Sequence, residues 1–149
     1  MPDLSTIKEL RELTGLSFNE IRKALAQAGG DKAQAMENLK KLGAALAKKK
    51  SARATGQGLV EAYVHANKKI GALVVLMCET DFVAKNPLFS ELAHEIVMQI
   101  AAMNPKNEKD LLAQPYIKDQ SITVSQLIQN YIAKLGENIK VASFSRSSI

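Results

Sequence analysis

The nine residues Ile70–Cys78, Ile-Gly-Ala-Leu-Val-Val-Leu-Met-Cys, contain no charged side chain, and this run narrows the possible folds more than any other part of the chain. It is far shorter than the ~20 apolar residues needed to cross a bilayer. It reads instead as the central strand of a sheet, and its near-continuous apolar character predicts cover on both faces. The run ends abruptly. Glu79-Thr80-Asp81 turns the chain into solvent, and Asn86-Pro87 has the form of a helix start, with Asn as N-cap and Pro at the first helical position. Between strand and helix stands Phe82, with an acid beside it. Nothing in the local pattern asks for this ring to be buried. It is either a plug over the core or a wedge offered to a partner.

The segments around this run complete one α+β layer. Val60, Ala62, Val64 and Ala66 alternate with Glu61, Tyr63 and His65, so the first four are expected on the buried face of a strand. Asn67-Lys68-Lys69 supplies the turn of a hairpin to Ile70. Beyond Pro87, the spacing of Phe89, Leu92, Ala93, Ile96, Val97 and Ile100 predicts an amphipathic helix to about Met103, stopped by Asn104-Pro105. Residues 104–122 are polar and turn-rich, with a short helical turn near Leu111-Leu112. Thr123 and Gln126 have capping-box spacing ahead of a helix carrying Leu127, Ile128, Tyr131, Ile132 and Leu135 and closed by Gly136. Ile139–Phe144 is a third strand. Residues 58–149 are thus expected to form a three-stranded antiparallel sheet packed on two helices.

Three short helical patterns precede this core. Leu4, Ile7, Leu10 and Leu13 mark the first, with Thr6 and Glu9 at capping-box spacing and Gly15 as its stop. Phe18, Ile21, Leu25 and Ala28 mark the second, capped by Ser17 and Glu20 and ended by Gly29-Gly30. Ala35, Leu39, Leu42 and Leu46 mark the third, behind Asp31 as N-cap. Helices this short do not stand alone in water, so a compact three-helix domain over residues 1–46 is expected. Residues 47–57 lose the apolar period and read as helix fraying into a basic linker.

Composition excludes several classes. With 46% hydrophobic and 23% charged residues, the chain is ordinary soluble protein. The N-terminus has an acid where a secretory signal needs a basic start, so a cytoplasmic location is expected. The single cysteine allows no internal disulfide and reads as a small buried hydrophobe. The net charge of +5 lies in the N-terminal third. There, Lys40, Lys41, Lys48, Lys49, Lys50 and Arg53 follow one another with no acid between them. Cations at a helix end suit the helix dipole, and this segment reads as a solvated helix end and linker. His65 and His94 lack zinc-ligand spacing, and Glu79 with Asp81 lacks a third oxygen donor for a metal. Gly56-Gln-Gly58 is not a dinucleotide loop, and no phosphate loop is present. The expectation is a non-enzyme with no catalytic residue, no metal and no cofactor. What remains is a surface for another protein.

The words Cys-Glu-Thr-Asp-Phe-Val-Ala-Lys-Asn (78–86), Ile-Lys-Glu-Leu-Arg-Glu-Leu-Thr-Gly (7–15), Gly-Gly-Asp-Lys-Ala-Gln-Ala (29–35) and Lys-Leu-Gly-Glu-Asn-Ile-Lys-Val (134–141) resemble elongation factor Ts, the nucleotide-exchange factor of the translational GTPase elongation factor Tu. The resemblance runs from Ile7 to Arg146. It implies a ubiquitin-associated (UBA-like) three-helix domain at the N-terminus and a dimerisation-type core behind it. It also implies a protein that binds the GDP-bound and nucleotide-free GTPase without contacting nucleic acid or membrane directly. Thr80, Asp81, Phe82 and Val83 take the place of the family element that disturbs the Mg2+ site of the GTPase. Leu13, Phe18 and Asn19 are further contact candidates. The family usually has a Gly-Met-Met-Asp-like stretch after the Thr-Gly turn, where this chain has Ser17-Phe18-Asn19-Glu20. Phe18 thus either replaces a contact methionine or staples its helix to the core. The family also usually inserts further helices, often a second core half, between Asn104-Pro105 and Gln114-Pro115-Tyr116-Ile117-Lys118-Asp119. This chain is therefore a short form without the central insertion, which leaves a homodimer open as a way to supply the second half. Two other functions remain open on the residues alone: a UBA-like interaction module for a different partner, and a small basic RNA-binding protein. The near-neutral core and the 5% aromatic content speak against stacking platforms for RNA.

Overall fold

The computed structural model describes residues 2–149. Three helices open the chain: α1 (Leu4–Thr14), α2 (Phe18–Gln27) and α3 (Lys32–Lys50). The antiparallel hairpin β1 (Gln57–Val64) and β2 (Ile70–Cys78) follows. Then come the one-turn α4 (Asp81–Ala84), the long α5 (Pro87–Met103), α6 (Glu108–Ala113), a small ribbon of β3 (Pro115–Tyr116) and β4 (Asp119–Thr123), α7 (Val124–Leu135) and β5 (Lys140–Ser148). The main sheet has the order β1-β2-β5 and is antiparallel throughout. The architecture is the expected α+β.

Local chemistry explains most of the element ends. Ser17 with Glu20, and Thr123 with Gln126, form complete capping boxes. Asp31 and Asn86 cap α3 and α5 with their side chains. Gly136 ends α7 in the left-handed region at φ 76°. One cap differs from expectation. Asp3, not Thr6, caps α1, so the helix starts earlier and its buried stripe is Ile7, Leu10 and Thr14, with Leu4 and Leu13 exposed.

Two expectations about the sheet are corrected. In β1, Leu59 and Tyr63 pack toward the core, whereas Val60, Ala62 and Val64 are exposed. The alternation was right and the face was wrong. The larger Leu and Tyr side chains bury more area, and the Tyr63 ring meets the edge of His94 from α5. In β2 the expected two-sided cover is absent. Ala72, Val74, Leu76 and Cys78 are buried, while Leu73 opposite them is 47% exposed. The helices cover one face only. α5 lies on β1 and β2, and α7 packs behind α5 and against α3.

There are two hydrophobic cores. One joins the sheet, α5 and α7 around Phe89, Leu92, Ile96, Ile100 and Leu76; the other joins α1–α3 around Leu10, Ile21, Leu25 and Leu39. They meet along α3 and α7: Ala133 of α7 packs against the helical core, and Ala47 of α3 packs against the sheet core. α3 is continuous to Lys50 and so runs into the segment expected as linker, leaving residues 51–56 to reach β1. Gly15 makes the approach of the two parts possible. Its φ is 73°, and a Cβ there would lie 2.5 Å from Lys134 Cγ and 2.6 Å from the Asn130 carbonyl oxygen.

Candidate functional site

The end of β2 sets up the turn on which the candidate residues sit. Cys78 is fully buried, and its Sγ–H donates to the Thr80 carbonyl at 3.2 Å. Burial, with Glu137 nearby, pushes the Cys78 thiol up from its ordinary value, so it stays protonated and able to donate. Thr80 is the N-cap of α4: its hydroxyl accepts from the Val83 N–H at 3.4 Å and donates to Glu137 Oε2 at 2.6 Å. The cap therefore belongs to Thr80, and Asp81 takes the first helical position rather than an Asx-turn or cap of its own. Asp81 pairs with Lys85 at 3.7 Å, with both groups largely in water. Such a pair contributes at most about 1 kcal/mol, which leaves the carboxylate free to be rearranged by a partner.

Phe82 and Val83, adjacent in the chain, point opposite ways. The Phe82 ring is 83% exposed, more than any other large hydrophobic side chain among the described residues except the C-terminal Ile149, whereas Val83 is buried in the sheet core. Phe82 is not a core plug. Val83, expected with the partner-contacting group, has its side chain turned inward and serves as the anchor of the turn.

Three residues absent from the expected site complete it. Glu137 Oε1 accepts the Glu79 and Thr80 backbone N–H groups at 3.1 and 3.0 Å, besides the Thr80 hydroxyl on Oε2. The Asn138 N–H donates to Glu79 Oε1 at 2.9 Å, and its side-chain amide donates to the carbonyls of Ser51 and Arg53. The Arg53 guanidinium stands 3.5 Å from the same Glu79 oxygen. The only available signal was Gly-Glu-Asn within the word at 134–141, and it carries no hint that an acid there reaches back to Thr80.

Leu13 and Phe18 are 47% and 40% exposed at the end of α1 and the start of α2, with Asn19 also exposed. Phe18 is not among the buried residues of the helical core. Between Leu13 and Phe18, Gly15 and Leu16 line a cleft of about 430 Å³ together with Lys8, Arg11, Lys134 and Leu88 at the start of α5. The α1–α2 turn and the segment following Phe82 are therefore neighbours in space. His65 is hydrogen-bonded to the Tyr63 hydroxyl at 2.8 Å. Among the described residues no group of three His, Cys, Asp or Glu is arranged to hold a metal ion, and no helix is long and apolar enough to cross a membrane.

Comparison with known proteins agrees with the motif resemblance. The family model described as Elongation factor TS matches residues 79–149, the part from the candidate turn to the end of β5. A curated elongation factor Ts of Gloeothece citriformis is 40% identical over 186 residues, covering 94% of this chain and 65% of the relative. That of Coprothermobacter proteolyticus is 40% identical over 187 residues, covering 95% of each chain, and that of Thermotoga petrophila is 38% identical over 189 residues, covering 98% of this chain and 95% of the relative. The chain thus spans just under two thirds of the first of these relatives and nearly all of the other two. Each aligned stretch is longer than the 149 residues of this chain, so the relatives carry residues within it that this chain lacks. With identity at this level across nearly its whole length, the chain belongs to the elongation factor Ts family, as a short form of it.

Proposed function

We propose that this chain is a cytoplasmic guanine-nucleotide exchange factor that binds elongation factor Tu, in its GDP-bound and nucleotide-free forms, and promotes GDP release during translation. The observation that carries this reading is Phe82: a large apolar ring standing in solvent on a turn whose backbone is fixed from below. An exchange factor carries out no bond chemistry. It binds the nucleotide-free GTPase better than the nucleotide-bound form, and linkage makes the weakening of nucleotide binding reciprocal. A ring inserted where the nucleotide-bound form is closed, with the Asp81 carboxylate beside it, disturbs the Mg2+ site from outside the nucleotide pocket. Leu13, Phe18 and Asn19 supply a second contact from the helical domain. Linking two modest contacts raises the effective concentration of each.

The test is the release rate of labelled GDP from elongation factor Tu. Phe82→Ala should leave the melting temperature of the chain unchanged and cost about 2–4 kcal/mol at the interface, or roughly thirty- to a thousand-fold in the affected equilibrium. Asp81→Ala should cost less, because a partly solvated acid gives up a smaller net interaction. A stable Phe82→Ala chain that releases GDP at the unaltered rate sinks the assignment.

A second copy of the chain is a further partner we propose. The open face of the sheet presents Val60, Val64 and Leu73, each at least 47% exposed, and among the described residues no helix lies over it. Light scattering that gives a monomer, both free and in a complex with the GTPase, would remove the homodimer.

A further inference from the structure

Phe82 cannot hold its own position. With 83% of it exposed, the ring gains almost nothing from packing, and α4 has only four residues, too few to persist as an isolated helix. The direction of the ring is set by the backbone of Glu79–Asp81; besides the Cys78 bond to the Thr80 carbonyl and the buried Val83, that backbone is held by a side chain from the other end of the core. Glu137 accepts three hydrogen bonds there, at 3.1, 3.0 and 2.6 Å. All three are partly shielded from water and charge-assisted, the stronger kind. Through the Thr80 hydroxyl the clamp continues to the Val83 N–H. Glu137 is in turn immobilised by its neighbour. Asn138 is 2% exposed and tied by its amide to the Ser51 and Arg53 carbonyls and by its N–H to Glu79. An acid in the α7–β5 corner thus fixes a turn 57 residues away in sequence.

We propose that Glu137 is a positioning residue for nucleotide exchange: its carboxylate holds the Glu79–Thr80 backbone in the one geometry that presents Phe82 to the partner. The proposal rests on the exchange reading above. In this role the effect of Glu137 passes through the ring.

That dependence defines the experiment. Glu137→Ala, Glu137→Gln and Phe82→Ala are compared singly and in combination for GDP release from elongation factor Tu, and amide hydrogen exchange is followed at Glu79 and Thr80 in the free chain. Glu137→Ala should slow release about ten-fold, the scale of losing charge-assisted hydrogen bonds. In the Phe82→Ala background the same change should slow it no further. Glu137→Gln keeps an acceptor oxygen and should recover most of the rate. The Glu79 and Thr80 amides should exchange faster in the Ala variant than in the Gln variant. The proposal is overturned if Glu137→Ala releases GDP at the unaltered rate, if it slows release by the same factor with Phe82 absent, or if the two amides stay as protected as before. Should Glu137→Ala not fold, Thr80→Val removes the hydroxyl bond to the same carboxylate and enters the same cycle with Phe82→Ala. A parent chain that releases no GDP would sink the exchange reading, while amide exchange in the free chain still reads the clamp.

Discussion

Phe82 and Val83 share a four-residue turn, yet their side chains serve opposite needs, and substitution should separate them cleanly. Val83→Ala removes buried methyl groups from the sheet core and should cost about 1–2 kcal/mol of stability, seen as a lower unfolding midpoint, whereas Phe82→Ala should not move that midpoint. Glu95 offers a different test. Burial works against its charged form, but hydrogen bonds from Lys118 and Tyr116, both at 2.6 Å, outweigh it and hold the carboxyl below its ordinary value. The folded state therefore binds this proton less readily than the unfolded chain. The stabilisation is complete above the ordinary glutamate value of about 4.3 and is lost as pH falls through the lower folded value. Thermal unfolding followed from neutral to acid pH should show a shallower acid limb for Glu95→Gln than for the parent chain. An equal slope for both would mean that the pair contributes nothing to folding.

The contact of α1 with α7 depends on the absence of a side chain at Gly15. An alanine there meets both the positive φ and a Cβ set against Asn130 and Lys134. Gly15→Ala should cost about 1–3 kcal/mol and loosen the helical domain from α7, which differential scanning calorimetry would show as a broader or split transition. The helices, hairpin and last strand were legible in the sequence because each rests on local rules: caps at Ser17, Asp31, Asn86 and Thr123, and apolar periods behind them. What could not be read there depends on what lies across the gap. The β1 alternation is symmetric, so only the position of α5 decides that Tyr63 turns inward and Val60 outward. The β3–β4 ribbon is too short to build a period, and the buried Gln99, which donates to the Pro115 carbonyl and accepts from Ile117, looks like any polar residue on its helix. The site divides in the same way. Phe82 stood out because an aromatic beside an acid breaks the local pattern, but plug and wedge were told apart only by its exposure in the fold; Glu137 did not stand out, because its partner is distant in sequence.

As a whole the molecule is two small cores joined along two helices, and the join decides how its charge is used. Arg53 pairs with Glu79 and so belongs to the structure, whereas Lys48, Lys49 and Lys50 crowd the last turn of α3. If these lysines steer the approach to an acidic partner, replacing all three with Gln should slow association and flatten its salt dependence with dissociation unchanged. Equal salt slopes would make them solvated helix end only. The proposed division into domains 1–46 and 58–149 predicts that residues 1–46 keep helical circular dichroism when cut free, since Leu10, Ile21, Leu25 and Leu39 form a core of their own. The intact chain behaves differently from two such pieces on a tether, and the reason is α3. Its 19 residues make an unbroken rod roughly 28 Å long, with one end in the helical domain and the other leading into Ser51, whose carbonyl accepts from Asn138 at the α7–β5 corner. A rod transmits phase as well as distance. One residue inserted in it would turn everything beyond by about 100°, swinging Leu13 and Phe18 to another side of the molecule while each half kept its own fold.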